Sequence, residues 1–179
     1  MRSTTAALLA CALLASVSFA PSAHAAIEPA PARPADEGQG PWSQLILRGV
    51  TVINGAGAPA FGPADVVIEG DRIVLVQIVG SASSGIDESK RPRLAEGGHE
   101  IDLAGHYVMP GIVDMHGHIG GEEQGTPAEY VYKLWLGHGI TSIRDPGCGN
   151  GIAFCASEAR RSAAGEITAP RIFPFVFFG

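Results

Sequence analysis

Two histidines separated by one residue, His116 and His118, stand near the end of PGIVDMHGHIGG, residues 110–121. On a strand, residues two apart project to the same side, so this spacing aims both imidazoles at one point. Such a pair can bind one divalent ion, and imidazole suits zinc, nickel, iron and cobalt alike. Gly117 keeps the intervening position small, and Gly120-Gly121 lets the chain turn away at once. Asp114 shares the same side and is placed to orient an imidazole from behind. Spacing alone leaves two readings open: a metal pair, or two satisfied surface histidines.

The elements that must carry these residues follow from periodicity. QLILRGVTVIN (44–54) alternates and is rich in β-branched residues, which predicts a strand. ADVVIEGDRIVLVQIVG (64–80) predicts a hairpin whose two apolar runs meet at Gly70-Asp71. Residues 81–98 form a polar loop, and strand character returns from His99, with Gly105 as a turn. Beyond the histidines the pattern changes. Thr126-Pro127-Ala128-Glu129 has the form of a capping box. Tyr130, Val131, Leu134 and Trp135 then share one helical face, and Gly137 ends the helix. GITSIRD (139–145) predicts a strand. Residues 152–164 predict a second helix, with Ile152, Cys155, Ala156 and Ala159 on one face and Arg160 and Arg161 in its last turns. RIFPFVFFG begins another strand. The order strand, helix, strand, helix, strand is that of an α/β parallel sheet or barrel, whose active sites lie at the C-terminal ends of the strands.

The formal net charge of −6 argues against a nucleic-acid partner. Residues 1–25 have the form of a secretory signal: Arg2, an apolar run from Ala6 to Ala20, and the small-x-small site Ala23-His24-Ala25. Cleavage after Ala25 predicts a secreted or periplasmic protein with no membrane segment. A retained anchor and a lipid-modified Cys11 are the alternatives. Residues 26–43, rich in Pro and Ala, predict an extended linker. Two cysteines lie in the remaining chain, Cys148 and Cys155. An oxidising compartment permits a bridge between them. The alternative is one loop cysteine and one buried helix cysteine.

GHYVMPGIVDMHGHIG resembles the first-strand signature of the metal-dependent amidohydrolase superfamily. Gly105, Val108, Pro110, Gly111, Asp114, His116 and His118 carry the likeness. GHGITSIRDPG (137–147) resembles the second-strand segment of the same family, and the hairpin resembles its small β-sandwich. The branch it looks closest to is the secreted one related to imidazolonepropionase and Xaa-Pro dipeptidases. The resemblance implies hydrolysis of a C–N bond in an amide, cyclic amide or dipeptide. It also implies one or two divalent ions, most often zinc, with His116 and His118 on the more buried ion.

The fold class expected is therefore α/β: a small β-sandwich unit (44–107), then the first strands and helices of a (β/α)8 barrel (108–179), incomplete in this chain. A barrel of that kind needs about 250 residues. The bridging Lys or acid, two further His and the late-strand Asp that acts as general base are expected beyond residue 179. Lys90, Lys133, His99, His106 and His138 read as structural or surface residues. The fragment alone is expected to be inactive. Arg144, at the end of the second strand, is a candidate to hold a substrate carboxylate; a local ion pair with Asp145 is the competing reading. A non-catalytic binding module, a decayed enzyme, and an isomerase or decarboxylase on the same metal scaffold are the alternatives. Substrate, metal count and oligomeric state are not legible.

Overall fold

The computed structural model describes residues 27–119 and 126–176. The signal-like segment, Gly120-Gly121 and the end of PFVFFG lie outside the described residues. Strand β1 (Gln44–Val52) is the centre of a five-stranded sheet. It pairs antiparallel with β2 (Phe61–Glu69), and β2 pairs antiparallel with β3 (Arg72–Ile78) across the Gly70-Asp71 turn. Gly70 has φ +58° there, a backbone state that glycine adopts without steric cost. A short ribbon, β4 (Gly80–Ser81) with β5 (Gly85–Ile86), follows. The chain then returns to the other edge of β1, where β6 (His99–Asp102) and β7 (Tyr107–Val108) both run parallel to it.

Val50, Val52, Ala64 and Val66 are the buried centre of this unit, with Leu47, Phe61, Ile68, Leu103 and Val108 around them. A charged residue sits inside it as well. Arg48 is buried, and its guanidinium bonds the Asp65 carboxylate at 2.8 Å, Glu100 at 2.7 Å and the Pro92 carbonyl at 2.9 Å. Asp65, fully buried, also accepts the Gly49 backbone N–H at 2.8 Å. The group thus ties β1, β2, β6 and the polar loop together.

The second sheet holds β8 (Ile112–Asp114), β9 (Ile140–Asp145) and β10 (Arg171–Pro174), all parallel, in the order β10-β9-β8. Helix α1 (Ala128–Gly137) connects β8 to β9, and α2 (Ile152–Ala163) connects β9 to β10. Ile119, Ile143 and Ile172 pack on both helices through Ala128, Tyr132 and Cys155. Ile112, Val113 and Phe173 remain exposed.

Three expectations need correction. The cap of α1 falls on Pro127, which has ψ 140° and makes no side-chain cap bond, and Glu129 binds Lys133 at 2.7 Å. The buried face of α1 runs through Ala128 and Tyr132, while Tyr130 and Leu134 are exposed. This helix is apolar on two sides, so periodicity had no polar face by which to choose. On α2, Ile152 is exposed, and the residue buried beside Cys155 is Glu158. Its carboxylate accepts from the Ala30 N–H at 3.1 Å and the Tyr132 hydroxyl at 3.2 Å, and pairs with Arg161. Burial and the Glu158 charge push the Tyr132 hydroxyl far above its usual range, so it stays a donor.

These bonds bear on the Pro/Ala-rich segment. Residues 27–43 up to Ser43 contain no helix or strand, yet they are packed onto the helices that flank the three-stranded parallel sheet. Arg161 donates to the Ala30 carbonyl at 2.6 Å, the Arg33 N–H to Glu166 O at 2.8 Å, and Lys133 pairs with Glu37 at 3.0 Å. Trp42 stacks on His99 with centroids 4.3 Å apart. No described helix is long and apolar enough to cross a membrane.

Two stability measurements test this packing. Asp65→Ala removes the fully buried partner of Arg48, leaving only the half-exposed Glu100, and is expected to cost about 3–5 kcal/mol in urea unfolding, against under about 1 kcal/mol for Glu100→Ala. Equal losses would refute the assignment. At Gly111 an added Cβ would overlap the Thr141 side chain, whereas at Gly149 it would meet nothing. Gly111→Ala is therefore expected to cost about 1–3 kcal/mol, and Gly149→Ala well under about 1 kcal/mol.

Candidate metal centre

Strand β8 stops at Asp114, so His116 and His118 lie just past its end and not within it. The extended geometry nevertheless persists. The Gly117 N–H donates to Arg144 O at 3.0 Å, continuing the pairing with β9. His116 and His118 are exposed while Gly117 and Ile119 are buried, the alternation of a strand. Both rings project together, with centroids 5.1 Å apart and planes at 81°. Gly117 suits this path: an added Cβ would lie 3.1 Å from the Trp135 ring and 3.3 Å from the Asp114 carboxylate, a tight fit that those side chains would have to relieve.

Among the described residues Asp114 makes no hydrogen bond to an imidazole ring. Its Oδ1 accepts the His116 backbone N–H at 2.9 Å, closing a turn that fixes the backbone between the strand end and the histidines. The carboxylate that holds a ring is Asp145, at the end of β9, whose Oδ1 is 3.2 Å from His118 Nδ1. An ionised carboxylate only accepts, so this contact is made by a proton on Nδ1 and leaves Nε2 clear of Asp145. Asp145 is almost fully buried, and it also accepts from the Gly147 N–H at 3.2 Å and the Cys148 N–H at 3.0 Å. Sequence reasoning placed Asp145 at the strand end without this role. The signal was available: neighbouring parallel strands bring their C-terminal ends side by side, so a residue closing β9 must face one that follows β8.

Arg144 makes no ion pair with Asp145 among the described residues. Its guanidinium donates to Met115 O at 3.3 Å and lies 4.8 Å over the Phe175 ring. Lys90 pairs with Asp87 at 3.4 Å, and Lys133 pairs with Glu129 and Glu37, so neither lysine approaches the histidines. His138 closes α1 with Nδ1 2.8 Å from Leu134 O, and His106 lies in the Gly105 turn. Cys148 and Cys155 are free thiols, both buried. Burial first, with the Asp145 charge adding to it, pushes both above the ordinary thiol range.

The residues present suit a metal ion: two converging imidazoles, one with its tautomer fixed by a buried carboxylate, are the arrangement of metal-ligating histidines and their supports. Comparisons with known proteins give likenesses over part of the chain. No family model matches the chain. Adenine deaminase 1 of Jannaschia sp. (strain CCS1) is 37% identical over 102 residues, 49% of this chain and 16% of that protein. A crystal structure of a prolidase complexed with N-methylphosphonate-L-proline superposes with a TM-score of 0.55 at 26% identity, over 73% of this chain and 31% of that one. A Xaa-Pro dipeptidase with methionine bound in its active site gives a TM-score of 0.56 at 25% identity, over 74% and 33%. The chain thus spans about a sixth of that curated relative and about a third of these solved structures. The His-Gly-His strand end and these likenesses together make the chain similar to the metal-dependent amidohydrolase superfamily.

Proposed function

We propose that this chain supplies the first metal-binding strand of an enzyme that hydrolyses C–N bonds, and that His116 and His118 are its metal ligands. One observation carries the reading: the two imidazoles lie together with centroids 5.1 Å apart, and Asp145 holds His118 through Nδ1. A bound divalent ion, with zinc the best fit to imidazole, would supply a Lewis acid and a water acidified toward neutral pH. What the chain's own residues do is fix that position. Asp114 sets the backbone turn before His116, Gly117 lets the strand end pass Trp135, and Asp145 fixes the His118 tautomer.

The substrate class proposed is a small amide, cyclic amide or dipeptide, and the adenine deaminase likeness adds the amidine C–N bond of a purine. Arg144 remains a candidate for a substrate carboxylate, because it stands one residue before Asp145 on β9 and is only half-buried. The architecture proposed is the opening of a (β/α)8 barrel next to a β-sandwich part. Its support is the parallel order β10-β9-β8 with helical crossovers. The exposed Ile112, Val113 and Phe173 speak against a stand-alone binding module, since an apolar sheet face open to water is an association hazard. Residues 1–25 support an exported location.

Metal content measured on the purified protein tests the proposal. His116→Ala and His118→Ala are each expected to lose the ion. Asp145→Asn is expected to weaken zinc affinity by about 10–100-fold, since the amide no longer fixes the ring as a carboxylate does. Unchanged zinc content in both histidine variants would overturn the assignment.

A further inference from the structure

We propose a second cation site, formed by Asp145, Cys148 and Cys155, that takes a thiophilic divalent ion such as zinc or cadmium independently of the imidazole pair. One ligand atom from each residue lies within 4.8 Å of the others. Asp145 and Cys155 are almost fully buried, and Cys148 is 4% exposed. Three elements converge to make the group: the end of β9, the loop that follows it, and the first turn of α2. The Cys148 N–H on Asp145 Oδ1 folds that loop back, with Cys148 at φ +42°, so that its sulfur returns towards the start of α2. The Asp145 Oδ1 atom is taken by His118 and two backbone N–H groups, while Oδ2 faces the Cys155 sulfur at 3.9 Å.

The donor set is chemically distinct from the histidine pair. Two sulfurs and one carboxylate oxygen select for a soft or borderline ion and reject magnesium or calcium. In a tetrahedral zinc–thiolate site at about 2.3 Å per bond, sulfurs stand about 3.8 Å apart. The spacing here needs at most about an ångström of closure to reach that. A disulfide needs about 2.05 Å, a larger movement from the same upper bound. Charge favours a cation as well. Among the described residues no Lys or Arg pairs with Asp145, so this buried carboxylate is met by the His118 ring, the Cys155 thiol and two backbone N–H groups and by no permanent cation. Binding would form two metal–sulfur bonds and release the two thiol protons to solvent, with no change of oxidation state. Because Asp145 also holds His118, an ion on Oδ2 would lie directly behind the imidazole centre.

The test is cadmium titration of the reduced full chain in a Cys11→Ser background, which removes the third cysteine. Cadmium bound to thiolate gives an ultraviolet charge-transfer absorption that imidazole does not. One equivalent of this band is expected, with a rise in melting temperature on cadmium addition. Cys148→Ser and Cys155→Ser should each abolish the band, and His116→Ala should leave it intact. Cys148 lies in a loop, so its variant reads the site even if substitution on α2 prevents folding. A reduced protein of native circular dichroism that gives no band, or a band that survives Cys148→Ser, would overturn the proposal. Loss of the band in His116→Ala would also overturn it, by merging the two sites. Failure here leaves the zinc content of the histidine variants unaffected, so the two proposals are separable.

Discussion

A single buried carboxylate organises the end of the sheet that carries His116 and His118. Asp145 is taken out of water at the close of β9, where its charge must be met by hydrogen bonds or cations. Two backbone N–H groups of the next loop, the His118 ring and the Cys155 thiol meet it. Each of those bonds fixes something else: the path of the loop into α2, the tautomer of a candidate ligand, and the position of the first helical turn. Were that carboxylate replaced by an apolar group, the imidazole would lose its support and the loop its anchor.

A second buried carboxylate does similar work on the outer side. Glu158 gathers Tyr132 from α1, Arg161 from its own helix and the Ala30 N–H from the segment that precedes β1. A stretch whose composition predicted a tether is thereby clamped across both crossover helices. Ala30 and Ile27 add apolar contacts to the core beneath the helices, alongside these polar contacts.

Legibility in the sequence followed the range of the interactions. The hairpin at Gly70-Asp71, the two crossover helices and the parallel strands were readable because periodicity and turn chemistry are local. The convergence of His116 and His118 was readable because period two survives past the formal end of β8. What failed depended on partners far along the chain. Asp114 was singled out because it is near in sequence, whereas the carboxylate bonded to the His118 ring, Asp145, comes from the adjacent strand. Glu158 gave no signal, since a glutamate on a helix reads as solvated until a tyrosine and a backbone N–H from elsewhere are seen on it. The face of α1 was misassigned because Tyr130 and Leu134 are as apolar as the side that packs.

The central claim is that His116 and His118 share one divalent ion. Crystals of the protein grown with zinc, measured above and below the zinc absorption edge, would locate such an ion directly. The account predicts an anomalous peak about 2.0–2.1 Å from a ring nitrogen of each histidine, with His118 bound through Nε2 and its Nδ1 still on Asp145. Zinc found elsewhere while both imidazoles remain unligated, or His118 bound through Nδ1 with its bond to Asp145 broken, would contradict it.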